Sequence, residues 1–296
     1  MAKNILHMIT PLAHMSPFDV NMAIDAGYDA TAAYTNVSLD EVTGLVQDAM
    51  FSRSPRDAAR TGVFIGGKDA LLALDMLEAA GKALFKPFEV SLFADPAGSF
   101  TTAAAMIAVV DKTLKEKKGR ALRGAAVSVF GATGVVGTAS AVIAALEGAS
   151  VTLVAREGTE RTARHAAEVN RRFGVHLVVA DGSTTETKAA ILASTEVVLC
   201  AAKAGVRVID ATEIAGAAKL MIAADVNAVP PSGVEGVDAH ANGTPLGERD
   251  ALGIGALAIG NVKYRTESGL FKQMTESKTA LSLDFRQAFE LARTLA

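Results

Sequence analysis

Three glycines, Gly131, Gly134 and Gly137, are separated from one another by two residues and directly follow an apolar run at 125–130. A backbone approaches a pyrophosphate closely only where side chains are absent, and a helix N-terminus offers unpaired N–H groups to the anion. Gly131 and Gly134 meet those needs, while Gly137 permits the following helix to pack closely on the strand. The spacing alone is weak, but its place between a predicted strand and a predicted helix indicates a dinucleotide site. An ordinary tight turn is the alternative.

Arg156 stands at the end of the next predicted strand, residues 151–155. In sites that prefer NAD, an acidic residue here accepts a hydrogen bond from the ribose 2′-hydroxyl, whereas an arginine accommodates the 2′-phosphate of NADP. A guanidinium makes paired hydrogen bonds to phosphate, and Arg161 is close enough in sequence to help. We therefore predict NADP. Glu157 is adjacent and able to face the ribose instead, which leaves NAD as an alternative, and a solvated loop arginine is a further alternative.

Two polar loops follow predicted strands, one in each half of the chain, at residues 95–102 and 225–231. Ligands of open α/β sheets lie beyond the carboxyl ends of the strands, so we expect substrate and cofactor at these loops. Simpler roles stay open, because Ser99 can cap a helix and Asp225 can fix a turn. The predicted cofactor site comprises Gly131, Thr133, Gly134, Val135, Val136, Arg156, Arg161, Ala201, Ala202, Asp225 and Asn227.

A glycine-rich segment at 253–264 contains a lysine near its end. We expect it to line the nicotinamide end of a bound dinucleotide and to direct Lys263 toward substrate, although its glycines would equally permit close helix packing with Lys263 on the surface. The residues predicted to position substrate are Lys263, Asp95, Ser99 and Thr102. The histidines lack HExxH-type spacing and no G-x-S-x-G elbow occurs, so we predict neither a metal site nor a serine hydrolase.

Short apolar runs alternate with helical patterns along most of the chain. In the first hundred residues the predicted strands are 4–8, 31–34, 62–65 and 89–93, and the predicted helices are 17–26, 38–51 and 69–83. After an alanine-rich helix at 101–118, the strands are 125–130, 151–155, 176–179, 196–201 and 220–224, and the helices are 135–146, 160–173, 184–193 and 212–217. Strands that alternate with helices imply parallel pairing with right-handed crossovers. A last helix is predicted at 282–295.

The predicted fold class is α/β, with two α/β lobes around a cleft, the second a Rossmann-like doubly wound parallel sheet. We assign residues 1–100 to the first lobe, completed by a C-terminal helical segment at 265–296, and residues 101–264 to the second.

Bulk composition excludes several classes of partner. The formal net charge of -3 gives no electrostatic footprint for nucleic acid or an anionic membrane surface. The single cysteine, Cys200, fits a reducing compartment, and we expect a cytoplasmic protein. The first apolar stretch is broken at His7, Thr10 and Pro11, so we expect no signal peptide. No apolar run reaches the roughly 18 to 20 residues that cross a bilayer.

Longer strings of residues resemble the NAD(P)-dependent methylene-tetrahydromethanopterin dehydrogenases of methylotrophic bacteria. The matching strings are ILHM at 5–8, SPFDVNMAIDAG at 16–27, FIGGK at 64–68, FADPAGSFTT at 93–102, DVNAVPP at 225–231 and the segment 255–264. They cover nearly the whole chain and are far more specific than a glycine turn. Arg156 resembles the NADP-holding arginine of the strictly NADP-dependent branch, whereas the N-terminal strings resemble the branch that accepts both dinucleotides.

This resemblance implies oxidation of the methylene bridge on a tetrahydropterin C1 carrier to a methenyl bridge, with hydride passing to NAD(P)+ during formaldehyde oxidation. It also implies a homo-oligomer, a trimer or a hexamer, with the pterin in the cleft. A long anionic tail on the carrier would use Lys68, Lys86 or Arg265. Two alternatives stay open: the same reaction on methylene-tetrahydrofolate, and a non-catalytic dinucleotide sensor.

Overall fold

A computed structural model describes residues 2–296 and divides the chain into two compact units. Unit 1 comprises the residues up to Thr101 together with Tyr264–Leu291 and Leu295, and unit 2 comprises Thr102–Lys263, Ala292–Thr294 and Ala296. Each unit contains its own predominantly parallel sheet with flanking helices. The expected α/β fold class is therefore confirmed.

The elements follow one another in a regular alternation. Up to residue 118 they are β1 (Ile5–Ile9), α1 (Pro17–Asp25), β2 (Ala30–Tyr34), α2 (Val42–Phe51), β3 (Thr61–Ile65), α3 (Ala70–Ala83), β4 (Ser91–Ala94) and α4 (Ser99–Lys118). Next come β5 (Ala126–Phe130), α5 (Val135–Leu146), β6 (Ser150–Ala155), α6 (Glu160–Phe173), β7 (Leu177–Asp181), α7 (Thr185–Leu192), β8 (Val197–Cys200), α8 (Ala211–Gly216) and β9 (Ile222–Asp225). The chain ends with β10 (Asn242–Leu246), β11 (Ala251–Ile254), α9 (Ala256–Glu276), β12 (Ser282–Leu283) and α10 (Phe285–Leu295).

The sheet of unit 1 has the order β12-β4-β3-β1-β2, and every pair in it is parallel. Its strands are apolar because helices cover both faces, as parallel sheets require. Phe64 on β3 and Phe93 on β4 lie with ring centroids 5.5 Å apart, and Phe271 on α9 completes the cluster at 5.2 Å from Phe93. All three rings are fully buried. This aromatic cluster fixes the end of α9 in the core of unit 1.

The sheet of unit 2 has the order β10-β11-β9-β8-β5-β6-β7. The pair β10–β11 is antiparallel, and the other pairs are parallel. From the central strand β5 the chain builds outward through β6 and β7, then crosses back to β8 and β9 on the other side. The order thus reverses between β5 and β8, which is where open α/β sheets bind their ligands. The glycine turn follows β5.

Several elements differ from the sequence-based expectations. The predicted helix 38–51 begins as a short 3₁₀ turn, in which Ser38 and Glu41 form a capping box, before α2 starts at Val42. The glycine-rich segment is divided between β11 and the first turns of the long helix α9. Strands β10, β11 and β12 were not predicted; β12 has two residues, and β10 includes Gly243 and Pro245, which disfavour strands. The predicted last helix, 282–295, was wrong at its start, because residues 282–283 pair with β4 and α10 begins at Phe285.

None of the helices formed by residues 2–296 has both the length and the apolar character that a bilayer crossing requires.

Candidate active site

The glycine turn brings the ends of β5 and β8 into close contact. Gly131 has φ +77°, and a Cβ on it would overlap the Ala201 carbonyl and lie 2.7 Å from the Ala202 nitrogen. A Cβ on Gly137 would in turn overlap the carbonyl oxygen of Gly131. Both positions therefore require glycine, Gly131 for its backbone conformation and contact with β8, and Gly137 for the packing of α5 on the turn.

Helix α5 begins directly after the glycine turn. Gly134 is the N-cap residue and is exposed, and its N–H donates to the Gly131 carbonyl at 3.0 Å. Val135 and Val136 form the first turn of α5, where the backbone N–H groups have no partner within the helix. A helix N-terminus next to a glycine-rich turn is the arrangement that holds a pyrophosphate, so the residues present fit a dinucleotide.

A pocket of about 360 Å³ opens beside the turn, at the carboxyl ends of β5, β6, β7 and β8. Four residues predicted from the sequence line it together: Gly131, Thr133, Arg156 and Ala202. The lining also includes residues that sequence reasoning missed, namely Thr162, Gly182, Ser183, Thr184, Thr185, Lys188, Lys203, Val206, Arg207 and Val208. Most of these follow β7 or β8, so the rule that ligands lie beyond strand ends was the signal able to find them.

The cations around this pocket differ in their partners. Lys188 donates to the Val208 carbonyl at 2.6 Å and forms an ion pair at 2.8 Å with Glu213, whose side chain is almost fully buried. Arg207 pairs with Glu235 at 2.8 Å. Arg156 is largely exposed and pairs with its neighbour Glu157, its Nε donating to Oε1 at 3.0 Å. A pair between exposed side chains is worth little, so releasing Glu157 would cost Arg156 little free energy.

The other predicted cofactor residues lie near the pocket without lining it. Ala201 supplies the carbonyl that Gly131 approaches, and Arg161 is an exposed residue in the first turn of α6. Asp225 is buried, and its carboxylate accepts hydrogen bonds from the backbone N–H groups of Asn227 (3.0 Å) and Val234 (3.1 Å). Asn227 accepts hydrogen bonds from Gly205 and Val229 through its side-chain oxygen. Direct contact of Asp225 or Asn227 with a cofactor stays a prediction.

Burial is the main influence on the pKa values of two neighbouring side chains, Cys200 and Asp225. Cys200 ends β8 beside Asp225, and both side chains are shielded from water. Burial, and secondly the nearby Asp225 charge, raises the pKa of the Cys200 thiol to about 12. Burial likewise raises the pKa of Asp225, although the surrounding amides oppose the shift. The thiol is therefore protonated at neutral pH and is no nucleophile.

In unit 1 the buried carboxylate of Asp95 organises the loop before α4. Its Oδ1 accepts the backbone N–H of Phe100 at 2.7 Å and that of Thr101 at 3.2 Å, and its Oδ2 accepts the Thr101 hydroxyl at 2.6 Å. Ala97 and Gly98, between them, both adopt positive φ. Asp95 thus holds a tight, left-handed turn at the carboxyl end of β4.

The remaining predicted substrate residues occupy two helices. Ser99 is buried at the start of α4, and Thr102 is half-buried one turn further along. Lys263 lies on α9 and is half-buried. Close packing explains one glycine nearby, because a Cβ on Gly255 would overlap the Asp238 carbonyl. Among residues 2–296, no cluster of three or more His, Cys, Asp or Glu side chains is placed to hold a metal ion.

Unit 1 has a pocket of its own, of about 410 Å³, at the carboxyl ends of β1, β3 and β4. Sequence reasoning did not find it, because most of its wall is apolar side chains and backbone. The pocket is lined by Thr10, Leu12, Ala13, His14, Met15, Ser16, Pro17, Asp19, Gly66, Gly67, Lys68 and Ala97. Its volume lies in the range of about 300–1,000 Å³ that is typical of small-molecule sites.

These features define an α/β protein with a Rossmann-type sheet in unit 2 and a glycine turn that fits a dinucleotide. The same architecture is found in shikimate 5-dehydrogenase from Listeria monocytogenes, solved in complex with shikimate and NAD, at a TM-score of 0.52 and 14% identity over 92% of both chains. At that identity the likeness shows the fold alone.

Comparison with known sequences identifies the family. A family model described as methylene-tetrahydromethanopterin dehydrogenase, N-terminal, matches residues 17–97. Over 296 residues, covering 100% of both chains, the sequence is 50% identical to an NAD(P)-dependent methylenetetrahydromethanopterin dehydrogenase of Methylorubrum extorquens. It is 32% identical, again over 100% of both chains, to a protein of that organism named bifunctional protein MdtA. The chain belongs to the methylene-tetrahydromethanopterin dehydrogenase family.

Proposed function

We propose that this protein oxidises methylene-tetrahydromethanopterin to the methenyl form by transferring a hydride to NAD(P)+, as a step of one-carbon oxidation. The observation that carries this proposal is the 50% identity, along the entire chain, to a relative named for that activity. The glycine cradle and the Arg156 side chain at the unit 2 pocket support the dinucleotide half of the reaction. The loop 93–102 and the segment 255–264 resemble strings of the methylene-tetrahydromethanopterin dehydrogenase family. This resemblance supports binding of the C1 carrier.

The nicotinamide ring supplies the carbon that accepts the hydride. The flanking nitrogens of the carrier stabilise the positive charge left on the bridge carbon, so the step needs no protein acid or base. The contribution of the protein is orientation, with the two reacting carbons held about 3–3.5 Å apart, and exclusion of the water that would hydrolyse the methenyl product.

Several of the predicted residues have a positioning role in this scheme. Gly131 and the first amides of α5 hold the pyrophosphate, and Arg156 binds the 2′-phosphate of NADP when that dinucleotide is used. Asp95 supports the turn that presents Ser99 and the start of α4. Lys263, on α9, directs its ammonium to the carrier. The pocket of unit 1 receives the pterin, because it lies where α/β sheets bind ligands.

The direct test is turnover of both carriers with both dinucleotides by the purified protein, followed as NAD(P)H formation. We expect methylene-tetrahydromethanopterin to be preferred to methylene-tetrahydrofolate in kcat/KM, with NADP+ and NAD+ both accepted. A preference of tenfold or more for tetrahydrofolate, equal to about 1.4 kcal/mol, would overturn the carrier assignment. Tight NADPH binding without turnover of either carrier would make the protein a sensor.

We also propose a cytoplasmic homo-oligomer, trimeric or hexameric, without nucleic-acid or membrane partners. The family resemblance supports the oligomer, and the net charge of -3 and the single cysteine support the rest. Light scattering coupled to size-exclusion chromatography measures the oligomer directly, and a monomeric mass would contradict it.

A further inference from the structure

The wall of the unit 2 pocket contains cations and no carboxylate. Its lining side chains include neither aspartate nor glutamate, although the chain as a whole has a net charge of -3. The cations in the wall are Arg156, Lys188, Lys203 and Arg207. A concave surface of one sign of charge attracts ligands of the opposite sign, so this lining favours an anion.

One of these cations differs from the others in its partners. Arg156, Lys188 and Arg207 each form an ion pair with a glutamate that lies outside the pocket wall. Lys203 is exposed, and among residues 2–296 no carboxylate pairs with its ammonium. Lys203 therefore supplies the positive charge of the wall that no neighbouring carboxylate offsets.

Lys203 stands beside the glycine turn, because it directly follows the backbone contact between β8 and β5. A Cβ on Gly131 would lie 2.7 Å from the Ala202 nitrogen, and Lys203 is the next residue along the chain. In the sheet, β5 has β8 on one side and β6 on the other, and Arg156 directly follows β6. Lys203 and Arg156 are therefore on opposite sides of the turn.

The loop that carries Lys203 is held at its far end by hydrogen bonds. The Gly205 N–H donates to the side-chain oxygen of Asn227 at 3.3 Å, and the Val208 N–H donates to the Gly233 carbonyl at 2.8 Å. Because this backbone is fixed before a ligand arrives, less conformational entropy is lost when Lys203 binds one.

We propose that Lys203 donates a hydrogen bond to the diphosphate of the bound dinucleotide, opposite the N-terminus of α5. Each phosphate carries a negative charge, whereas a helix N-terminus is equivalent to only about half a positive charge, so a cation beside the turn stabilises the bound anion. The 2′-phosphate of NADP is expected on the Arg156 side, so Lys203 contacts a group that NAD and NADP share. This inference rests on the proposed function.

The test compares Lys203→Met with wild type in the full-length protein, by titration with NADPH and with NADH. We expect both dissociation constants to rise about tenfold, with kcat at saturating dinucleotide unchanged. That factor is the lower end of the range for hydrogen bonds to charged groups, because solvent screens an exposed ammonium. Lys203→Arg keeps the charge and should recover most of the affinity.

Lys219→Met is the matched control, since Lys219 is exposed in the same unit but lies outside the pocket wall. It should bind both dinucleotides as wild type does. Unchanged dissociation constants in Lys203→Met, or a loss confined to NADPH, overturn the assignment.

A second measurement separates the two anion sites with fragments of the cofactor. ADP-ribose contains the diphosphate but no 2′-phosphate, whereas 2′-AMP contains the 2′-phosphate but no diphosphate. We expect Lys203→Met to weaken binding of ADP-ribose about tenfold and to leave 2′-AMP unaffected, and Arg156→Gln to do the reverse. Equal losses of both fragments in Lys203→Met would indicate a general effect of charge and overturn the inference.

These titrations do not depend on turnover, so they separate this inference from the proposed reaction. Absence of turnover with every carrier, combined with the expected losses in Lys203→Met, would remove the proposed reaction and leave the role of Lys203 standing. Wild-type protein that binds neither NADPH nor NADH would overturn both.

Discussion

The backbone of Gly131 lies so close to that of Ala201 that a single methyl group on Gly131 would overlap the Ala201 carbonyl oxygen. The contact joins the end of β5 to the end of β8, at the point where the strand order of the second sheet reverses. The turn that is expected to hold the pyrophosphate is therefore fixed by its neighbour strand as well as by its own sequence.

Gly131→Ala tests this relationship. The alanine meets both a steric overlap and a positive φ of +77°, so we expect a loss of stability of about 1–3 kcal/mol or more and a marked rise in the dissociation constant of NADPH. Gly44→Ala is the matched control, since nothing lies within 4 Å of its Cβ position. Isothermal titration with NADPH and denaturant unfolding measure the two effects, and normal NADPH binding by Gly131→Ala would argue against the cradle.

Arg156 and Glu157 are expected to set the choice of dinucleotide in opposite directions. Arg156→Gln removes the partner of the 2′-phosphate, so its kcat/KM for NADP+ should fall about 10- to 100-fold with NAD+ little affected. Glu157→Gln frees the guanidinium from its ion pair and removes a repelling charge, so the NADP+/NAD+ ratio should rise. Arg164→Gln, exposed on α6, is the control, and Arg161→Gln shows whether the second arginine helps. Equal losses with both dinucleotides in Arg156→Gln would place the arginine elsewhere.

We expect Asp95 to contribute mainly to the stability of the folded protein. Asp95→Ala leaves the Phe100 and Thr101 amides without their buried acceptor, and we expect a loss of about 2–4 kcal/mol in the free energy of unfolding. Asp95→Asn keeps one carbonyl acceptor, and the Thr101 hydroxyl can rotate to accept from the amide, so its loss should be smaller. A folded Asp95→Asn with wild-type stability but a raised carrier KM would instead show direct substrate contact.

Lys263→Met separates positioning of the carrier from cofactor binding. Methionine keeps most of the side-chain volume but loses the ammonium, so we expect kcat/KM for the carrier to fall at least about tenfold while NADPH binding is retained. Lys272→Met, exposed further along α9, serves as the comparison. Wild-type kinetics in Lys263→Met would show that the Lys263 ammonium does not position the carrier.

Cys200 gives a pH dependence of defined sign. Its thiol pKa is raised from 9.0 to about 12, so above pH 9.0 the unfolded chain loses the proton while the folded chain keeps it. The contribution to stability is complete below pH 9.0 and declines as the pH rises toward about 12. Unfolding curves across that window should show a shallower alkaline decline in Cys200→Ala than in wild type. At neutral pH a thiol reagent should react only after denaturant is added, and rapid reaction of the native protein would contradict the burial.

Local patterns predicted most of the elements. The pattern at 125–146 predicts a strand, a turn and a helix, because the apolar run, the glycines and the helical periodicity agree. The structure has β5 and α5 at these positions. The short strands β10 and β12 lack such agreement, because their pairing depends on partners distant in sequence. Contacts of that kind are invisible to local periodicity.

Only part of the candidate site was predicted from the sequence, for a related reason. Gly131 and Arg156 carry strong local signals, whereas Thr162, on α6, reaches the same pocket only through tertiary packing. Asp95 and Asp225 were identified as polar residues after strands, but their hydrogen bonds to nearby amides become visible only in three dimensions. Asp19 was quoted only within the string SPFDVNMAIDAG and given no role, because an acid in the first turn of a helix is common on electrostatic grounds.

The first sheet closes with the two residues of β12, which pair with Leu92 and Phe93 of β4. On the ribosome, nearly all of unit 2 has emerged before those residues are made, although unit 1 begins the chain. Until then β4 is an open edge, with nothing to accept the Leu92 amide that later donates to the Leu281 carbonyl. The nascent protein therefore completes its first sheet last, and a chain that stopped before Ser282 would leave the β4 edge unpaired.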